Sequence, residues 1–98
     1  MTKFVFDVLE KMVGEVVEVY DPETEEKLTE LTITKVSRGL VHGDMFDAFN
    51  VELSGDEDEH CPESHYLLKH EMFGSETYYM SPHAIDKYQI CISRKADA

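Results

Sequence analysis

Apolar and polar positions alternate with a period of two over much of this chain, most clearly between Met45 and Pro82. Phe49, Val51 and Leu53 alternate with Asn50 and Glu52, and Tyr66, Leu68 and His70 alternate with Leu67 and Lys69. Tyr78 and Met80 stand two apart after Gly74. Successive side chains on a strand point to opposite faces, so each set predicts a strand with one buried side. The same rhythm predicts strands at 15–20, at 27–36 with Leu31 and Ile33 on one face, and at 88–93 with Tyr88, Ile90 and Ile92 inward.

Turn-forming residues separate these runs. Asp21-Pro22-Glu23 is a turn with Pro pre-set for its second position. The glycine-bearing stretch 37–44, the acidic stretch 56–64, the connection 71–74 and the stretch 83–87 read as loops, with Ser81-Pro82 closing the fifth strand. Residues 94–98 read as a frayed tail.

Only the N-terminus changes period. Val5, Val8, Leu9 and Met12, with Phe6 beside them, follow the 3, 4, 7 spacing of an amphipathic helix over residues 2–13. Thr2 is placed to cap its start and Gly14 to close it in the left-handed conformation. The expected fold is therefore mainly β, α+β at the margin: one domain over 1–98, a six-stranded antiparallel meander closing into a small barrel or roll, with the helix packed on it as a lid. Closure hides strand edges, which is why a meander of this size curls.

Composition narrows the function classes. Nine Lys and Arg against 21 Asp and Glu give a net charge of -12 over 98 residues. Such a surface repels phosphate backbones and anionic lipid, so neither nucleic acid nor membrane is the expected partner. No apolar run is long enough to span a bilayer, and Asp7, Glu10 and Lys11 interrupt any signal-peptide core. A cytoplasmic setting follows, with Cys61 and Cys91 as unlinked thiols.

His60, Cys61 and His65 are the candidate metal ligands, since zinc favours Cys and His and a carboxylate or His83 would complete four. His70 is set apart, because five residues along a strand carry it about 17 Å from His65 at ~3.3 Å per residue, on the opposite face. The acids at 56–59 lack the spaced order of a calcium loop and read as a solvated tip. His70, ending a strand before a tight turn, is expected to fix that turn by bonding a loop carbonyl rather than to act as a base. No nucleophile elbow or phosphate loop is present. The expectation is a domain without enzymatic activity and without cofactor.

Across nearly its whole length the chain resembles a family of short bacterial proteins known only as a domain of unknown function. The resemblance rests on Phe6, Leu9, Gly14 and Val17, then Phe46, Phe49, Val51, Leu53 and Gly55. It continues with Pro62, Tyr66, Leu68 and His70, and with Gly74, Tyr78, Tyr79, Ser81, Pro82 and Tyr88. Ser64-His65 stands where such proteins tend to have Gln-Gly, and the acidic run is longer. The resemblance implies a single small β domain, often encoded beside phage-tail-like or tail-collar genes, and brings no catalytic residues. Together these readings point to an accessory or assembly module that binds another protein, through an exposed aromatic patch if one of the Tyr and Phe clusters reaches the surface. The alternative is a small ligand- or metal-binding barrel with the 60–65 loop as its mouth.

Overall fold

The computed structural model describes residues 4–38 and 46–95. Among them, helix α1 covers Phe6–Glu10, and six strands follow: β1 Val16–Tyr20, β2 Lys27–Arg38, β3 Phe46–Ser54, β4 Ser64–His70, β5 Gly74–Ala84 and β6 Lys87–Lys95. All neighbouring pairs are antiparallel, and the circuit β1-β2-β3-β6-β5-β4 closes on itself. The expected antiparallel barrel is thus present. Its circuit leaves a plain meander at one place, where the chain passes from β3 over to β4 and β6 takes the position beside β3.

The two longest strands explain the closure. β2 pairs with β1 through residues 27–32 and with β3 through residues 32–38. β5 pairs with β4 through Gly74–Met80 and with β6 only through Ser81, Pro82 and Ala84. Each therefore belongs to two sheets and turns the corner between them, and each carries an irregularity beside its corner. In β2 the shift falls between Ile33 and Lys35. It moves the inward set from Leu31 and Ile33 to Val36, while Thr34 turns outward and donates to the Glu52 carbonyl at 3.1 Å.

The alternation called the inward side chains correctly. Val17, Val19, Leu31, Ile33, Phe49, Val51, Leu53, Tyr66, Leu68, Met80, Tyr88, Ile90 and Ile92 are all buried in one core. Strand ends moved more. β2 runs through Ser37 and Arg38, which pair with Asn50 and Phe49; residues 39–44 of the expected loop lie outside the described residues. Pro82 does not end β5, because the register shift between Pro82 and Ala84 accommodates a residue with no N–H to give. β6 likewise continues to Arg94 and Lys95, paired with Asp47 and Phe46, leaving only 96–98 of the expected tail outside the described residues.

The helix is shorter than its apolar spacing suggested. It starts after Val5, an extended residue with no side-chain cap, and the expected cap Thr2 lies outside the described residues. Leu9 and Met12 are buried as expected, but Phe4, ahead of the helix, is buried as well. Phe4 stands 4.2 Å from Tyr78, 5.0 Å from Phe73 and 6.3 Å from Phe49 between ring centroids. It thereby joins β3 to β5 and to the β4–β5 turn. The Arg38 guanidinium lies 4.2 Å over the Phe6 ring and ties the helix to the end of β2. The helix ends with Lys11 as its cap, so Gly14 does not close it as expected but ends the turn that follows: its φ of +94° suits glycine, and its N–H donates to the Ile33 carbonyl at 2.7 Å, leading into the β1–β2 ladder.

Gly55 has a different reason to be glycine. A Cβ there would fall inside van der Waals contact with Cδ2 of Leu31, itself 1% exposed. Gly55→Ala is expected to lower stability by about 1–3 kcal/mol through overpacking, read as a lower urea midpoint at unchanged slope.

Candidate functional site

The helix and the β4–β5 turn fill one end of the barrel; the candidate site lies at the other. There the connection 55–63 crosses from β3 to β4, and the side chains at issue in the sequence sit on it or under it. Gly55 N–H donates to the Asp86 carbonyl at 2.9 Å, anchoring the start of the crossing to the β5–β6 turn. The acids then form a 3₁₀ turn over Glu57–Glu59, begun by the Asp56 carboxylate accepting from the Asp58 N–H at 2.9 Å. Glu59 accepts from the hydroxyl of buried Thr29 at 3.1 Å, which pins the turn to β2.

Two inward tyrosines stitch the rest. The Tyr88 hydroxyl accepts from the Cys61 N–H at 2.9 Å, and the His60 ring stacks on Tyr88 with centroids 5.9 Å apart. Nδ1 of His60 lies 3.0 Å from the Ile85 carbonyl, so the ring is held by the β5–β6 turn. The Tyr66 hydroxyl donates to the Pro62 carbonyl four residues upstream. A buried tyrosine needs a partner for its hydroxyl, and here each finds one in the crossing backbone.

These contacts decide the chemistry. Burial pushes the Cys61 thiol up, and the Glu59 charge pushes it further, so the thiol stays protonated and a poor nucleophile. Burial, followed by smaller electrostatic effects, raises Tyr66 to about 12. Tyr88 also moves up by burial, against the lowering effect of its hydrogen bond from the Cys61 backbone. Each group is harder to ionise folded than unfolded. For each tyrosine the contribution is complete below the ordinary value near 10 and is lost as pH climbs toward the folded value, while for Cys61 the loss begins lower, at the ordinary thiol value of 9.0. Stability measured by urea unfolding should begin to fall near pH 9.0, where Cys61 ionises in the unfolded chain, and fall further between about 10 and 12, and Tyr66→Phe should flatten that upper part. Both cysteines are free, Cys61 buried and Cys91 exposed. A thiol reagent should thus modify Cys91 quickly in the native protein and Cys61 only on unfolding.

The three candidate metal ligands do not converge. His60 turns to Ile85 and Tyr88, Cys61 is buried beneath the crossing, and His65 stands exposed against Tyr79 with centroids 5.2 Å apart. His83 pairs with Gln89 instead of completing a set. Among the described residues, no group of three His, Cys, Asp or Glu is placed to hold a metal ion. Adjacency in sequence is undone by the change from loop to strand at Ser64, which sends neighbouring side chains to different sides.

His70 lies at the other end, against Phe73. Its Nδ1 accepts from the Met72 N–H at 3.0 Å, so its partner in the turn is an amide, not the carbonyl expected. Nε2 lies 3.4 Å from Glu15. Gly74, at φ +83°, completes this three-residue hairpin. Of the aromatic residues, Tyr66, Tyr88, Phe49 and Phe73 are buried, Tyr78 half-buried and Tyr79 exposed; the Phe46 side chain lies outside the described residues. Tyr79 moves up through its hydrogen bond with Glu63. Phe4, Thr29 and Leu28 went unnoticed in the sequence. Only Phe4 carried a usable signal there, as an apolar residue next to the apolar face of the helix.

Fold and barrel end together define a small closed antiparallel β domain in which Tyr66, Tyr88, His60 and His70 are engaged with backbone. More narrowly, the chain belongs to the family described as a domain of unknown function (DUF6916), whose sequence profile matches residues 4–92. No curated protein and no solved structure gives a significant match. Among the described residues no helix is long and apolar enough to cross a membrane.

Proposed function

We propose that this domain is a non-enzymatic module that binds another protein. The observation that carries the reading is the division of labour among its side chains. Cys61, Tyr66, Tyr88, His60 and His70, the residues best suited to chemistry, are engaged with backbone atoms. Large apolar side chains meanwhile stay at the surface, with Leu28 39% and Ile85 56% exposed at the same barrel end. Apolar surface rimmed by polar residues is what a protein-binding site presents. The net charge of -12 favours a protein partner over nucleic acid or an anionic membrane. The resemblance to proteins often encoded beside phage-tail-like genes supports an accessory or assembly role.

Native mass spectrometry of the tagged protein drawn from its own host's lysate tests this. A second chain in fixed ratio is the expected result. A bare chain at every salt concentration would overturn the reading.

A further inference from the structure

The crossing 55–63 does not lie flush on the barrel. Between it and the start of β2 runs a cleft of about 250 Å³, lined by Leu28, Glu59, His60, Cys61, Pro62 and Tyr66. Leu28 and Glu59 also line an adjoining, wider hollow of about 410 Å³ that adds Lys27, Thr29, Glu30 and Asp56. The floor is apolar and the rim is carboxylate. Among the described residues the cation of that rim is Lys27, and it is already matched, its Nζ lying 3.1 Å from Glu18 and 3.0 Å from Glu30. Of the four consecutive acids Asp56 to Glu59, Glu59 lines the cleft and Asp56 joins it in the hollow beside it.

From this geometry, and resting on the protein-binding reading above, we propose that the cleft is the docking site for a basic segment of a partner protein. An Arg or Lys side chain suits both halves of it. The aliphatic stem covers Leu28, Pro62 and Tyr66 while the charged head reaches Glu30, Asp56 or Glu59. Leu28 on one side, and Ile85 beyond His60 on the other, give apolar footholds for residues flanking that side chain. An acidic segment would set like charge against like along the whole rim, which is how the site rejects one. The crossing is held in place by its own hydrogen bonds, so the site is formed before the partner arrives.

The test is a displayed library of random short peptides selected on the intact protein. Enriched peptides should carry Lys or Arg beside at least one apolar residue. A synthetic copy of the leading peptide should perturb the amides of Leu28, Glu59 and Cys61 in heteronuclear NMR spectra. It should bind at least tenfold more weakly to Leu28→Ser and to the triple variant Glu30→Gln, Asp56→Asn, Glu59→Gln. The amides keep the acceptor oxygens that Asp58 and Thr29 use, so the crossing stays folded. Glu10→Gln with Glu71→Gln, which neutralises acids elsewhere, should leave binding unchanged. No enrichment, enrichment without basic residues, or equal binding by the cleft variants would each overturn the proposal. Leu28→Ser used beside wild type as bait in host lysate separates the two levels. A partner retained equally by both removes the cleft and keeps the protein-binding reading, and a partner held by neither removes both.

Discussion

Phe4→Ala should cost the domain about 3–5 kcal/mol, as much as a large truncation at the centre of the core. Phe4 is 2% exposed although it precedes every regular element, and it meets Phe49, Phe73 and Tyr78 from both sheets. Its removal leaves a cavity among Phe49, Phe73 and Tyr78, rings that otherwise pack on it. Unfolding in urea, followed by tyrosine fluorescence, should show a lowered midpoint. Phe4→Leu should recover a large part of the loss, because an apolar side chain of similar reach still fills the space. A cost under 1 kcal/mol for Phe4→Ala would mean that the N-terminal segment merely rests on the barrel.

The second large effect is expected at Tyr88, the largest of the fully buried side chains. Tyr88→Ala should cost about 3–5 kcal/mol, because a ring-sized cavity opens under the crossing. Tyr88→Phe separates the hydroxyl from the ring. It keeps the packing and removes the acceptor for the Cys61 N–H, a buried donor whose loss of partner costs about 1–3 kcal/mol. The local consequence is as telling as the global one. With the 2.9 Å bond gone, the crossing should open more often, and Cys61 in Tyr88→Phe should react with a thiol reagent under native conditions. Unchanged protection of Cys61 would show that Pro62 and Glu59 hold the crossing without Tyr88.

The strands were readable because burial on one face imposes a period of two, and no other arrangement produces Phe49-Val51-Leu53 or Tyr88-Ile90-Ile92. Element ends were less readable. Pro82 and the glycine-bearing stretch after Val36 looked like terminators, yet an irregular register absorbs the first and Ser37–Arg38 still find partners on β3. The helix looked longer than it is because Val5 fits its apolar stripe, whereas Val5 is extended and Phe4 reaches the core from outside the helix. The circuit of strands was not readable at all. That β6 rather than β4 lies beside β3 depends on contacts some forty residues apart, for example Asn50 with Cys91, which leave no local trace.

The candidate site was half-readable for the same reason. Pro62 and Tyr66 stood out as a spaced pair, and their four-residue interval is the reach of the hydroxyl back to the carbonyl. The grouping of His60, Cys61 and His65 rested on sequence proximity alone, and the entry into β4 disperses it. The cleft beside Leu28 needs β2 and the crossing to be brought together, and no periodicity announces that.

The circuit of strands has one more consequence. Strands β1 to β3 and β4 to β6 are two three-stranded units of like construction, each with a long bent middle strand. Among the described residues they pair only first strand to first, β1 with β4, and last to last, β3 with β6. That is an approximate two-fold arrangement, in which each half presents the edges that complete a second copy of its own kind. A chain of this design can exchange halves with a neighbour through the same two junctions, with residues 55–63 as the hinge. The tyrosine and threonine bonds that fasten that hinge to the barrel then also oppose such an exchange.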